Sequence, residues 1–281
     1  MATAIIDQQS ATDVGPAKEA ARSAFVALLA RDLTVVRKEF GMFLARTVVQ
    51  PFMLMFVFTF VFPKIGQGVG GGGAGAARFS TLLVGGVVAS SIIFQGIQAV
   101  ALPLVQDFGF TREIEDRVLA PLPVGAIAFE KVVAGGVQAL IAGVLVFPMG
   151  LFIPATKINL HVNFLLLIPV MILGAFLSAS LGLFIGTRVG PRQVPLIFGL
   201  LVIPMTFLGA VYYPWQSLAP LRWLQVAVLI NPLVYLTEGM RAALTTGVPH
   251  MNSVVILVVL LGVGLFLMRA GMAGFRRRVL S

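Results

Sequence analysis

NFLLLIPVMILGAFLSASLGLFIGT, residues 163–187, runs for 25 positions without a charged side chain. A helix needs roughly 20 apolar residues to cross the ~30 Å hydrocarbon core of a bilayer. This stretch is long enough, and it predicts a membrane span. Five further stretches have the same character: 42–62, 80–104, 125–150, 194–214 and 253–272. The chain of 281 residues is 58% hydrophobic and 11% charged, with a mean hydropathy of +1.00. The predicted fold is an all-α integral membrane protein with six transmembrane helices. Spans and short connectors use up most of the chain, so little remains for a soluble catalytic domain.

Composition excludes several chemistries. There is no cysteine, which removes disulfides, thiolate nucleophiles and thiolate metal sites. The two histidines, His161 and His250, argue against a multi-histidine metal centre. No GxSxG, HExxH or nucleotide-binding loop is present. The glycine-rich run GQGVGGGGAG, residues 66–75, lacks the Gly-Lys-Ser/Thr ending of a phosphate loop and reads as a flexible connector. No cofactor is expected on this chain, and no metal.

The net charge of +9 follows the spans, which argues against a nucleic-acid partner. Lys64, Arg78, Lys157, Arg222 and Arg241 fall on one face of a six-span topology, and the other fifteen of the twenty basic residues on the opposite face. Cytoplasmic loops carry the excess of Lys and Arg. Both termini are therefore expected in the cytoplasm, the protein lying in a prokaryotic plasma membrane. Residues 1–16 are polar, lack the apolar core of a signal peptide, and are expected to be a disordered tail. Residues 17–281 are then expected to form one six-span transmembrane domain.

Residues 17–40 predict an amphipathic helix along the membrane surface. Phe25, Leu29, Leu33, Val36 and Phe40 recur on one side and Arg31, Thr34 and Lys38 on the other, with Asp32 at the edge of the apolar arc. The first span contains Arg46, near enough to its end to snorkel, with Gln50 and Pro51. Residues 105–124, VQDFGFTREIEDRVLAPLPV, place charges of both signs on an otherwise basic face. A short helix near 111–120 would carry Glu113, Glu115, Asp116 and Arg117 beside an apolar stripe of Ile114, Val118 and Leu119, a surface suited to docking. On the fourth span Gly174, Ser178, Gly182 and Gly186 recur every four residues, a pattern for close helix packing.

Between the last two spans lies a segment too polar to cross cleanly and too apolar for a free loop. Tyr212, Tyr213, Trp215 and Trp223 suit the interfacial belt. Residues 224–233 predict a short re-entrant or surface helix stopped at Asn231-Pro232. Glu238 and Arg241 follow at a spacing that allows an ion pair; on a surface such a pair contributes little. The segment 212–241 is expected to cap the outer end of a path, with Tyr213, Pro214, Asn231, Pro232, Glu238 and Arg241 as its lid residues. Exchanging the two charges would then restore part of a lost function. No acid is expected near mid-membrane, which disfavours an ion-coupled carrier and points to an external energy source.

Two stretches resemble the membrane subunits of ABC-2 type exporters, the group of daunorubicin-resistance, lipo-oligosaccharide and polysaccharide export permeases. One is REIEDRVLAPLPVGAIAFEK, residues 112–131, where Glu113, Glu115, Leu119, Pro121, Pro123 and Lys131 match an acidic segment, a proline turn and a lysine on the third span. The other is residues 207–244, where Gly209, Tyr213-Pro214, Leu218, Pro220, Asn231-Pro232-Leu233, Glu238 and Arg241 follow the family pattern, with Ala219 as a small departure. The resemblance implies a half-transporter: a homodimer, or a dimer with a related permease, associated with a separate ATPase that carries ATP-Mg. It implies that Glu113, Glu115, Asp116, Arg117 and Leu119 couple to that ATPase. The substrate implied is hydrophobic or amphipathic, a drug, lipid, glycolipid or polysaccharide. An ATP-independent channel or carrier, and an intramembrane lipid-modifying enzyme, are the alternatives.

Overall fold

The computed structural model describes residues 14–69, 74–111, 122–155 and 158–279. Helix α1 spans Val14–Lys38. After a break at Glu39, α2 spans Phe40–Met55; it runs through Pro51, widens to a π-helix over Phe56–Val61 and ends at Lys64. Helix α3 spans Ala74–Gln106, with a π-helical end over Asp107–Thr111. Then come α4, Val124–Phe152, and α5, Phe164–Gly186. Helix α6 is Val194–Phe207, α7 Arg222–Ala227, α8 Pro232–Leu244 and α9 Ser253–Val279.

Five of these are long and apolar enough to cross a membrane: Phe40–Lys64, Ala74–Gly109, Val124–Phe152, Phe164–Gly186 and Ser253–Val279. Their outward faces are apolar at helical spacing. Leu165, Ile168 and Ile172 on α5 are exposed, as are Val254, Val258, Leu261 and Leu265 on α9. Water would not tolerate such stripes, but hydrocarbon does. The sixth expected span, 194–214, departs from its reading. Helix α6 has 14 residues, about 21 Å of rise, short of the ~30 Å core. It ends at Leu208–Ala210, where Ala210 adopts φ +54° and turns the chain.

The bundle is built around α3, with 72% of its apolar segment buried against 22% for the first span. In a bilayer, helices associate by close packing rather than by exclusion from water, so small residues decide who touches whom. A Cβ on Gly182 would lie 2.7 Å from the Ile97 carbonyl, and one on Gly186 would lie 3.0 Å from Ala101 Cα. Ser178 packs on Gly96 of α3, and Gly174 faces Leu236 of α8. The four-residue ladder on α5 thus lies against α3 and α8. Residue numbers rise together along this contact, so α3 and α5 run parallel. Gly264 and Gly271 of α9 meet Phe176 and Leu183 of α5 in the same sense. Helices α5 and α9 are therefore also parallel, and the chain between them must return from one end of the bundle to the other.

Helix α1 lies along the basic end of the bundle. Ala24, Phe25, Leu28, Leu29, Leu33 and Val36 form its partly covered face, while Phe40, expected on that face, is exposed. Two contacts fasten it to α4: Phe25 stacks on Phe129 with ring centroids 6.1 Å apart, and Asp32 pairs with Lys131. Asp32 breaks the apolar arc because it reaches a buried lysine.

The packing makes a direct prediction. Gly182→Leu should destabilise the purified protein by about 1–3 kcal/mol through overpacking. Gly262→Ala, with nothing within 4 Å of the added Cβ, should leave the thermal midpoint in detergent unchanged. Equal midpoints for the two variants would remove the α3–α5 contact from the list of stabilising features.

Candidate functional site: a buried ion pair at a re-entrant turn

Helix α6 stops short, and the next 24 residues complete the return in an unusual way. Gln216 Nε2 donates to the His250 carbonyl at 3.2 Å, so the chain reaches the level where α9 begins. It then dips back into the bundle through α7 and a 3-10 turn, Val228–Ile230. At the bottom, Asn231 Nδ2 donates to the Met205 carbonyl at 3.0 Å, and Asn231 Oδ1 accepts from Leu233 N–H at 3.0 Å. Asn231 is thus the N-cap of α8 and Pro232 its first residue, where no N–H is needed. Helix α8 climbs out again. The Leu244 and Ala243 carbonyls accept from His161 and Asn163 N–H at 3.0 and 2.8 Å, beside the start of α5.

Glu238 and Arg241 lie on α8, one turn apart, and both are 0% exposed. The weak surface pair considered from spacing alone is corrected: this pair is inside the protein. Its charges are satisfied by more than each other. Arg241 Nη1 donates to Glu238 Oε1, and Nη2 to the Ala210 carbonyl at 2.9 Å and the Tyr213 carbonyl at 3.4 Å. Glu238 Oε1 also accepts from Trp215 N–H at 2.9 Å, and Oε2 from Met251 N–H at 3.0 Å. Among the described residues, Arg241 Nε alone of these polar atoms lacks a partner. The expectation concerned an acid near mid-membrane; Glu238 is buried, and its bond to Met251 N–H places it beside the start of α9. Burial of the carboxylate is possible because the guanidinium and two backbone donors replace its water.

The other predicted lid residues converge here. Tyr213 O–H donates to the Phe207 carbonyl at 2.9 Å, and Pro214 precedes the 3-10 turn Trp215–Leu218. Thr237 Oγ1, not singled out from sequence, donates to the Gly209 carbonyl at 2.8 Å. Trp215 Nε1 donates to the Gln225 carbonyl at 2.9 Å. The arrangement holds an irregular segment by its backbone groups. It presents no free acid or base to a reactant, and among the described residues no cluster of three His, Asp or Glu could hold a metal.

The ATPase-coupling candidates Glu113, Glu115, Asp116, Arg117 and Leu119 lie outside the described residues. The flanking pieces are placed. Asp107 is buried at the end of α3, and Glu130 and Lys131 are buried near the start of α4. A cleft of about 450 Å³ opens at this end between α1, α2, α3 and α4. Sequence reasoning missed that Arg46 lines it; only a polar residue inside a span could have hinted at it.

The sequence profile of the ABC-2 type transporter family matches residues 23–245, from α1 to the end of α8. The inner membrane transport permeases YadH of Escherichia coli K12 and of Shigella flexneri are similar to the chain at 28% identity over 166 residues. The match covers 58% of this chain and 62% of each relative, so it spans less than two thirds of their length.

Loss of either partner of the buried pair should be severe. Arg241→Met or Glu238→Gln should each cost on the order of 3–5 kcal/mol, read as a lower thermal midpoint and yield. The charge exchange Glu238→Arg with Arg241→Glu should not recover either, because Trp215 and Met251 N–H would then face a cation. Recovery in that double variant would show that the backbone bonds matter little.

Proposed function

This chain belongs to the ABC-2 type transporter family, and from that premise we propose that it is the membrane subunit of an ATP-driven exporter. Two such subunits, identical or related, would work with a separate ATPase carrying ATP-Mg. The proposed cargo is hydrophobic or amphipathic, moved outward from the basic, cytoplasmic end of the bundle. The proposed topology has six crossings. The parallel course of α5 and α9 supports it, since α6 with residues 208–216 must make the missing return. Both termini then lie in the cytoplasm of a prokaryote.

One observation carries the transport reading: the irregular segment adjoins the polar interior. Asn231 grips the carbonyl of Met205, and the next residue, Thr206, lines a small polar chamber between α2 and α3. The segment 208–231 therefore stands as a plug above a cavity whose other end opens into the cleft at the basic face. In this reading Tyr213, Pro214, Asn231, Pro232, Glu238 and Arg241 form the outer lid. Glu113, Glu115, Asp116, Arg117 and Leu119 form the surface that receives the ATPase. An ion-coupled carrier would need a titrating carboxylate, whereas Glu238 is occupied by three donors.

The test is co-expression with candidate ATPases, followed by pull-down and transport into inverted vesicles. Transport that requires ATP, and that falls when Glu113 and Glu115 are both changed to Lys with membrane insertion intact, is the expected result. Transport persisting without ATP or any bound ATPase would favour the carrier. For topology, single cysteines at Gly71, Lys157 and Gly247 should label from outside intact cells and those at Thr12 and Ser281 should not. The reverse labelling would invert the direction.

A further inference from the structure

Two cavities meet at Arg46. The wider is the cleft of about 450 Å³, and the narrower is the chamber of about 40 Å³ further along α2 and α3; Arg46 and Gln98 line both. The chamber is walled by Thr47, Gln50, Ser91 and Gln95. Gln95 is 4% exposed, accepts from Thr47 Oγ1 at 3.3 Å, and has no partner for its Nε2 among the described residues. Whichever way round the amide lies, one end is left unmatched in a buried chamber. An unmade buried hydrogen bond is costly, so this end calls for a ligand.

Arg46, exposed at the mouth of the chamber, adds a positive charge beside it. Among the described residues it has no ion-pair partner. The acids lining the cleft are Asp32, which holds Lys131, Glu39, and Asp107. Glu39 lies two helical turns from Arg46, about 10 Å along the axis. Arg31 also lines the cleft, on α1. An exposed cation on a span, left without a fixed counter-charge, attracts a mobile anion.

The neck also has an apolar side. Met42, Val49 and Met53 are 75%, 56% and 51% exposed. With Arg46 they recur at positions i, i+4, i+7 and i+11, on one face of α2. The polar neck therefore opens directly beside an exposed apolar strip. A free anion would satisfy Arg46 but leave that strip unused. A molecule with an anionic head and an apolar tail matches both at once.

We propose that Arg46, Gln98 and Gln95 form the recognition site for the head of an anionic amphiphile, bearing a phosphate or carboxylate, that enters sideways from the leaflet at the basic end. Its tail lies along Met42, Val49 and Met53. The head sits in the cleft at the neck, and the 40 Å³ chamber admits only one small polar group at a time. This rests on the transport reading for its purpose, though not for its binding chemistry.

The test uses the full chain in neutral detergent and native mass spectrometry, with phosphatidylglycerol and phosphatidylcholine of matched acyl chains as probes. The wild type should retain phosphatidylglycerol in preference. Arg46→Gln should lower that retention about tenfold, toward the phosphatidylcholine level, for loss of a charge-assisted bond. Arg46→Lys should keep most of it, and Gln95→Leu should lower it by a smaller factor. Equal retention by wild type and Arg46→Gln overturns the proposal. So does displacement by millimolar inorganic phosphate, which would mark a site for free anions. So does a changed monomer–dimer ratio in Arg46→Gln with lipid retention untouched, since the neck would then belong to a contact between copies. The assay needs neither ATP nor an ATPase, so failure of the transport reading leaves its outcome standing, and failure here leaves ATP-dependent transport standing.

Discussion

The Glu238–Arg241 pair determines whether the second half of this fold can exist in a bilayer. A chain that turns back inside hydrocarbon exposes backbone donors and acceptors with no water to meet them, each costing several kcal/mol. Residues 208–231 do turn back, and the pair supplies what water would. Arg241 takes the carbonyls of Ala210 and Tyr213, and Glu238 takes the N–H groups of Trp215 and Met251. One ion pair so joins the turn after α6, the 3-10 turn at Trp215, the helix α8 and the start of α9. It also explains how Ala210 is held at φ +54°, a conformation that costs an alanine about 1–2 kcal/mol.

The rest of the bundle rests on close approach. Gly96, Gly182 and Gly186 leave no space for a side chain between α3 and α5, and Gly264 and Gly271 leave none between α5 and α9. These contacts align three helices in parallel around a common axis. That alignment forces the return of the chain, and α6 is too short to make it alone. The re-entrant turn and its buried pair thus follow from the way small residues set the directions of α3, α5 and α9.

Much of this was legible in hydropathy, and the failures have particular causes. The first four spans and the last are predominantly apolar runs, and each overlaps a helix long enough to cross a membrane. The run 194–214 looked the same because a hydropathy window registers polarity and not direction. Nothing in Leu208-Gly209-Ala210-Val211 announces a turn at an alanine. Helix α8 carries Tyr235, Thr237, Glu238 and Arg241 in 13 residues, so its polarity suggested the surface. Its better signal was the Asn231-Pro232 cap opening onto Leu233, Val234, Leu236, Met240, Ala243 and Leu244, all buried except Pro232. The residues that gather at the re-entrant turn were singled out by type and spacing, but their depth was not, because depth comes from neighbours distant in sequence. Asp32 is the same case: its place at the edge of an apolar arc is explained only by Lys131, 99 residues away.

The two ends of the interior are bound to each other through α6. Its outward face, Leu196, Leu200, Ile203 and Phe207, is exposed, and its firm attachments are near its C-terminal end. There Met205 is tied to the N-cap of α8 while Thr206 faces the polar chamber. A helix of 14 residues transmits a displacement of its first turn to its last with little loss. A group that enters the chamber and shifts α6 must therefore either break the Asn231–Met205 bond or carry α8 with it. Carrying α8 strains the Glu238 bonds to Trp215 and Met251, which lie on different segments and cannot both follow. The chamber and the re-entrant turn are thus coupled through the end of α6, by the Asn231–Met205 contact of 3.0 Å and the Tyr213–Phe207 contact of 2.9 Å.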